Sequence, residues 1–356
     1  MHQKLFHLFA ASLLLLATSS CSDNTEPTTG NDSPSAVISL SAMPSLQTRT
    51  TLSSAEAVQH VSQVQLYVFD GTTADAQCVA SEDTGWNPAG AAQGLPTREQ
   101  SYNIKYQGLQ PNTTYTLIAV GNDDRSASTY QPLAIGTKLS EARAATSSTA
   151  TRDDIAHSEL FGGHIAVATN ANAGFNATLD LYRRVAGVML NLTKISASYN
   201  GKAIGSIRVD LYTQQNRSVS LADDNIAADP LTSTDTQDNS LNKTIIEIAA
   251  SEFLRADDNT TASKGSYVLP VAAPADNSTA TMRLVVLDND GAEIGSKNIK
   301  LVSSTATANG TTVTASTTSY PLLPNQYYQI DATIGDNIDT VIRAMGAWQE
   351  DIDINL

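Results

Sequence analysis

Short runs of alternating apolar and polar residues constrain the fold of this chain more strongly than any other feature. In the segment 61–69, VSQVQLYVF, every second residue from Val64 to Val68 is apolar, and Asp70 and Gly71 then turn the chain. A period of two places one face of a strand against a core, whereas a helix requires a period near 3.6. Beyond the first 20 residues no amphipathic helix of convincing length is evident. The sequence therefore predicts an all-β fold.

Further strands are predicted along the whole chain, each bounded by turn-forming residues. In the first half they lie at 37–40, 61–69, 102–106, 114–121, 164–168, 177–182 and 185–192. In the second half they lie at 207–212, 244–248, 267–271, 282–287, 297–302, 327–334 and 351–356. The segment 288–291, DNDG, is typical of a hairpin turn. Two successive β-sandwiches are the simplest packing for strands of this length and spacing.

The start of the chain has the pattern of a lipoprotein signal peptide. Lys4 precedes an apolar run at 13–17 that is too short to span a bilayer, and small residues then lead to Cys21. Residues 1–20 would be removed, and acyl chains such as palmitate on Cys21 would each contribute about 0.8 kcal/mol per buried methylene to membrane binding. The alternative is an ordinary secreted protein with a chance cysteine at this position.

The remaining sequence divides into a tether and two predicted domains. Residues 21–35 contain almost nothing apolar and are predicted to form a flexible, lipidated tether. A polar segment with a glycine, 196–202, marks the predicted boundary between an N-terminal β-sandwich domain, 36–198, and a C-terminal β-sandwich domain, 199–356. The length is about twice that of a typical domain, which favours this division.

Composition and motifs exclude several classes of function. A net charge of -15 would repel a phosphate backbone, so nucleic acid is not a predicted partner. The sequence lacks HExxH, GxSxG and a glycine-rich loop that enters a helix, so we predict no enzyme, cofactor or metal site. With Cys21 lipidated, Cys78 has no disulfide partner and is expected to be a semi-buried small hydrophobe, with a reactive thiol as the alternative.

Some polar residues leave a choice between structure and chemistry. The three histidines beyond the signal have no ligand-like spacing: His60, His157 and His164. The segment 288–293 has carboxylates suited to calcium, but a plain hairpin turn is favoured. Solvated loop charges are the preferred interpretation of three acidic pairs, at 123–124, 223–224 and 257–258. Trp86 and the tyrosines of the first half could stack on a sugar ring, although packing in a core is favoured.

Several weak motifs follow one another along the chain. They are Cys21, the strand VQLYVFD at 64–70, the strand YTLIAVGN at 115–122, the segment ELFGG at 159–163, the motif LYRRVA at 181–186 and the segment LPNQYYQI at 323–330. In this order they resemble the fimbrillin-like lipoproteins of Bacteroidales, which are shaft, anchor and tip subunits of type V pili. The run SDNTE at 22–26 also resembles the signal that exports such lipoproteins to the outer face of the outer membrane. The resemblance implies two transthyretin-like β-sandwich domains without enzymatic activity.

The resemblance also implies assembly by β-strand complementation. In polymerising members an arginine-specific protease removes the first strand, and a strand of another subunit fills the groove through main-chain hydrogen bonds. Here the predicted first strand is 37–40, and Arg49 and Thr50 form the candidate processing site. A surface arginine in a connection between strands is the alternative. Anchor subunits keep both their lipid and their first strand.

The end of the chain supplies a candidate pairing strand. Ile352, Ile354 and Leu356 alternate with polar residues and are predicted to face inward from a terminal strand. That strand would pair within the chain or with another subunit.

The sequence thus favours a structural surface lipoprotein, a subunit of a type V-like fimbria, with an anchor or accessory role preferred over a shaft role. Its predicted partners are other fimbrial subunits, the outer membrane through the lipid on Cys21, and an adhesion target. The alternative function is a surface glycan-binding lipoprotein of an outer-membrane uptake system.

Overall fold

Strands dominate the computed structural model, which describes residues 35–42, 61–86, 99–123, 126–223, 225–226, 229, 243–256, 259–307 and 310–345. The first nine strands are β1 (Ala36–Ala42), β2 (Gln63–Phe69), β3 (Cys78–Asp83), β4 (Glu99–Asn103), β5 (Thr114–Asn122), β6 (Tyr130–Gln131), β7 (Arg143–Thr146), β8 (Leu160–Ala168) and β9 (Phe175–Arg183). Those that follow are β10 (Ala186–Ile195), β11 (Ser198–Tyr199), β12 (Lys202–Leu211), β13 (Ser218–Ser220), β14 (Thr244–Ala249), β15 (Leu254–Ala256), β16 (Asn259–Val268), β17 (Met282–Asp288), β18 (Glu293–Asn298), β19 (Leu301–Thr307), β20 (Gly310–Thr317), β21 (Tyr327–Ile334) and β22 (Ile338–Met345). The helical elements are short: α1 (Ser126–Thr129), α2 (Arg152–Ala156) and 3-10 turns at Leu139–Glu141 and Ala250–Glu252. The all-β prediction is confirmed.

The described strands pair into four sheets. The first sheet has seven strands in the order β3-β2-β5-β8-β9-β1-β4, and the second has seven in the order β15-β16-β10-β21-β22-β19-β20. A five-stranded sheet has the order β11-β12-β17-β18, with β14 also paired to β12. The small sheet β13-β7-β6 combines strands from both halves of the sequence.

The two seven-stranded sheets share one arrangement of strands. In the first sheet β1 runs parallel to β9 and antiparallel to β4. In the second sheet β10 runs parallel to β21 and antiparallel to β16. A parallel pair requires a long crossover connection. In both sheets, therefore, a strand pairs in parallel with one that comes much later in the sequence.

Three apolar clusters hold these sheets together. The first sheet encloses a cluster that includes Leu66 and Leu117. The second and the five-stranded sheets enclose another, which includes Val188 and Ile207. The third cluster contains side chains from both seven-stranded sheets and from the small sheet, among them Tyr67, Leu160, Met189, Tyr267 and Val219. The third cluster therefore connects the two halves of the chain.

The predicted domain boundary falls inside a continuous structure. The described residues on both sides of this boundary belong to one compact unit. The segment 196–202, predicted as a joint, contains the hairpin β11–β12, whose turn residues Asn200 and Gly201 have φ values of 48° and 75°. Strand pairing instead changes partners between β9 and β10, before this hairpin. The division at 198/199 stays a prediction.

Strand boundaries follow the sequence pattern closely in some places and not in others. β21 has the predicted bounds, and β5 extends the predicted strand by one residue. The predicted strand 297–302 is wrong, because it spans the break between β18 and β19. The candidate terminal strand 351–356 lies outside the described residues.

Candidate functional site

β1 occupies an interior position of the first sheet, which we call the β1 slot. The strand pairs with β9 from Ala36 to Ala42 and with β4 from Val37 to Ser41. Ladder hydrogen bonds therefore hold it on both sides. Removal of β1 would leave two unpaired strand edges, which readily bind another strand.

The side chains of β1 alternate between the core and the outer face. Ile38 and Leu40 are 0% exposed, and Ala36 and Ala42 are also buried. Burial of an Ile or Leu side chain stabilises a fold by roughly 1.5–3 kcal/mol. The β1 slot thus accepts a small, two large and again a small side chain at alternate positions, and the first strand predicted at 37–40 is confirmed.

The remaining sequence-predicted site residues lie outside the described residues: Cys21, Arg49, Thr50, Ile352, Ile354 and Leu356. Arg49 lies in the sequence between β1 and β2. Lipidation, processing and terminal pairing therefore stay predictions.

A buried ionic network links the first sheet to the second. Arg183 donates from Nε and from Nη2 to Oε1 of Glu159, each at 2.7 Å. The hydroxyl of Tyr267, on β16, donates to the same oxygen at 2.7 Å. Glu159 and Arg183 are only 5% and 3% exposed, and the guanidinium lies 5.4 Å from the ring centroid of Phe161. Buried charges are tolerated when paired and hydrogen-bonded, so this network fixes the two sheets relative to each other.

Two of the weak sequence motifs bring the residues of this network together. β8 begins within the segment ELFGG, β9 ends within the motif LYRRVA, and the two strands pair at Gly162 and Tyr182. A Cβ at Gly163 would lie 2.0 Å from the backbone oxygen of Asp180, so only glycine permits this close approach. This pair was not predicted from the sequence, although charged residues next to apolar runs could have indicated it; nothing in the sequence pointed to Tyr267.

The interpretation of the acidic pair at 123–124 as solvated loop charges is wrong for Asp123. Its carboxylate accepts hydrogen bonds from the backbone N–H of Ser126 at 2.5 Å and of Glu159 at 3.0 Å. Burial raises the pKa of the Asp123 carboxyl, while these hydrogen bonds oppose the rise. The side chain caps α1 and positions the residue before β8.

Trp86 and Cys78 are both core residues, although the sequence had left a functional alternative open for each. Trp86 is buried in the core cluster of the first sheet. This confirms the prediction that it packs in a core and does not form a platform for a sugar ring. Cys78 is 1% exposed, and burial raises the pKa of its thiol to about 11. A thiol of this kind is unreactive at neutral pH.

The segment 288–291 forms the hairpin turn that its sequence predicted. Asp288 accepts from the N–H of Ala292 at 2.9 Å and from the Lys202 ammonium at 2.8 Å, and Gly291 has a φ of 78°. The neighbouring Lys202 lowers the pKa of Asp288. Across the described ranges, no group of three or more His, Cys, Asp or Glu side chains is placed to hold a metal ion. Nor does any helix in those ranges have the length and apolar character needed to cross a membrane.

A cleft of about 210 Å³ opens beside β2, β5 and β6. Its lining combines the carboxylate of Asp83 and a set of apolar side chains with four amides and two tyrosines: Gln63, Gln65, Asn122, Gln131, Tyr67 and Tyr130. Amides and phenols donate and accept hydrogen bonds without a net charge. The amides and phenols can therefore bind a polar group, while the carboxylate of Asp83 disfavours an anion.

Comparison with known proteins places this fold in a family. The family model for Mfa2, described as fimbrillin-A associated anchor proteins Mfa1 and Mfa2, matches residues 40–353. None of the curated proteins searched matches the chain.

Solved structures of fimbrial proteins from Porphyromonas gingivalis are similar to this chain over most of its length. The fimbrial anchor protein Mfa2 is 12% identical with a TM-score of 0.42, covering 88% of this chain and 97% of that chain. The fimbrilin FimA of strain W83 is 10% identical with a TM-score of 0.47, covering 87% and 96%. The C-terminally truncated tip protein Mfa3 is 11% identical with a TM-score of 0.42, covering 87% and 99%.

These structural similarities are distant, so it is the family model that establishes the family. That model spans the described strands from the last three residues of β1 to β22, and it agrees with the resemblance that the sequence motifs predicted. The chain belongs to the family of fimbrillin-A associated anchor proteins Mfa1 and Mfa2.

Proposed function

We propose that this protein is an anchor or accessory subunit of a fimbria, held on the outer membrane by acyl chains on Cys21. The observation that carries the proposal is the filled β1 slot. β1 begins at Ala36, directly after the tether 21–35, and pairs with strands on both sides. A lipid at the start of that tether would be joined to the folded protein through an interior strand of the first sheet.

The family supports this role and the class of partner. Its description names anchor proteins of fimbriae, which is a structural function. The partners we propose are other fimbrial subunits, joined by strand complementation. In that scheme a retained β1 keeps the slot closed to a donor strand, as an anchor at the base of a filament requires.

The mature N-terminus on the native cell surface tests the proposal. Mass spectrometry should find acylated Cys21 at the N-terminus, together with peptides that span Arg49 and Thr50. Cys21→Ser should abolish labelling by a clickable fatty acid and release the protein from the membrane. An N-terminus at Thr50 in purified filaments would show a polymerising shaft or tip subunit instead.

The cleft beside β2 favours glycan binding as a second candidate function. Its amide and tyrosine side chains and the Asp83 carboxylate can hydrogen-bond sugar hydroxyls. A glycan array would test it, with Gln63→Ala in the cleft compared with Gln107→Ala outside it. Binding that Gln63→Ala abolishes, without incorporation into filaments, would favour this function over the anchor role.

A further inference from the structure

The two outermost strands of the first sheet meet through side chains. β3 and β4 are at opposite ends of the strand order. Nevertheless, Glu82 on β3 accepts hydrogen bonds from the hydroxyl of Tyr102 at 2.8 Å, from the N–H of Lys105 at 3.0 Å and from the N–H of Tyr106 at 2.7 Å. We call this contact the Glu82 seam. It closes the sheet around its core without a backbone ladder.

A second contact strengthens the seam. The side chain of Gln100, on β4, donates to the backbone oxygen of Thr84 at 2.9 Å. Burial, together with the hydrogen bond to Glu82, raises the pKa of Tyr102, so its hydroxyl remains a donor. Hydrogen bonds to a carboxylate are about twice as strong as those between neutral groups.

The position of β4 makes the seam important. Among the described strands, β4 has a ladder only with β1, and the N–H of Ile104 continues that pairing to the oxygen of Ala36. Without β1, no described backbone ladder would hold β4 in place. The Glu82 seam is independent of β1, since its partners lie on β3 and in the segment 100–106.

We propose that Glu82 is a positioning residue that keeps β4 in place as one wall of the β1 slot while the slot is empty. The occupant is an extended strand with the alternation of β1: small, large, large and small side chains facing inward. It is the protein's own β1, which enters the slot during folding and pairs there with β9 and β4. A preformed wall spares the incoming strand the cost of ordering β4.

The sequence separations of the contacts support this role. Glu82 and its partners are 20 to 24 residues apart in the sequence. Ala36 on β1 must pair with Phe175 on β9, a far more distant contact. Contacts of short sequence separation close at a lower entropic cost than distant ones. The Glu82 seam can therefore order β4 before β1 inserts.

The test uses a chain whose slot can be emptied. The chain from residue 21 onward, with Cys21→Ser to prevent acylation, would carry a site for a sequence-specific protease at 47–50. After cleavage, the N-terminal piece is removed in mild denaturant. Amide hydrogen exchange at 99–106 is then compared in the parent, Glu82→Ala, Glu82→Gln and a matched control on β4, the exposed Glu99→Ala.

Slow exchange at 99–106 is expected in the emptied parent and in Glu99→Ala. Glu82→Ala should exchange at least about tenfold faster there, because three hydrogen bonds to a charged group are lost. Glu82→Gln should be intermediate, since its amide oxygen still accepts. Equal exchange in the parent and both Glu82 variants would overturn the proposal, as would fast exchange in the emptied parent. If Glu82→Ala does not fold, the comparison of exchange at 99–106 between the parent and Glu82→Gln decides the role of Glu82.

Peptide uptake gives a second readout of the same role. A labelled peptide with the sequence of residues 35–42 is added to the same emptied proteins. Uptake by the parent, at least about tenfold weaker in Glu82→Ala, supports the role of Glu82. No uptake by the parent, or equal uptake by the parent and Glu82→Ala, would overturn it. Neither result bears on the anchor role, which the mature N-terminus tests separately.

Discussion

At the scale of single residues, Gly163 shows how a missing side chain sets the distance between two strands. A Cβ there would lie 2.0 Å from the backbone oxygen of Asp180. Gly163→Ala should therefore force β8 and β9 apart and lower the free energy of unfolding by about 1–3 kcal/mol. Gly71→Ala is the control, because its Cβ would meet Ala76 at an ordinary 3.5 Å. Equal melting temperatures for the two variants in thermal unfolding would contradict the expectation.

Cys78 gives a prediction about pH. Burial raises the pKa of its thiol to about 11, above the value of about 8.5 in an unfolded chain. The folded state therefore holds the proton more tightly, so the stability that Cys78 contributes is complete below about pH 8.5 and is lost as the pH rises through about 11. Relative to Cys78→Ala, the melting temperature of the parent should fall over this range, with Cys21→Ser in both proteins. A constant difference would show that the thiol is not buried.

Sequence reasoning at this scale succeeded where a pattern was local. The hairpin turn at 288–291 was predicted from four adjacent residues, and its geometry depends on those residues. Asp123 was misjudged as a solvated charge because one of its two backbone donors is the distant Glu159. A hydrogen bond between residues so far apart leaves no local signal.

At the scale of elements, β1 offers a direct test of the slot. Leu40 is fully buried, whereas the side chain of Ser39 lies on the opposite face, 3.5 Å from the hydroxyl of Ser101. Leu40→Ala should lower the free energy of unfolding by about 2–5 kcal/mol, because it leaves a cavity. Ser39→Ala should change it by no more than about 0.5 kcal/mol. Chemical denaturation measures both, and similar losses would mean that β1 does not fill the slot.

The elements that sequence reasoning missed lack a strong alternation. β3 reads CVASED and is half polar, yet it forms a full ladder with β2. β22 was also missed, although it pairs with the whole of β21. In both cases the neighbouring strand supplies the stabilisation that the local sequence does not indicate, since strand propensity depends on context. The fold class could therefore be predicted, while the sheet order could not.

At the scale of the whole molecule, the two halves form one unit because charged and apolar contacts join them. The third apolar cluster takes side chains from both seven-stranded sheets, and β13 pairs with β7 across the predicted boundary at 198/199. A sequence pattern assigns residues to a buried face but does not indicate which buried faces meet. That is why a polar hairpin at 196–202 was the best available signal for a boundary.

Among the contacts that join the two halves, the network of Glu159, Arg183 and Tyr267 should contribute most to stability. Glu159→Ala leaves the buried Arg183 cation without its carboxylate partner, so it should lower the free energy of unfolding by about 3–5 kcal/mol. Tyr267→Phe removes a single donor and should cost about 1 kcal/mol. Lys138→Ala, which breaks an exposed pair with Asp75, is the control and should leave the free energy of unfolding nearly unchanged. Denaturant unfolding measures all three, and a loss for Glu159→Ala no larger than that for Lys138→Ala would show that the network does not hold the sheets together.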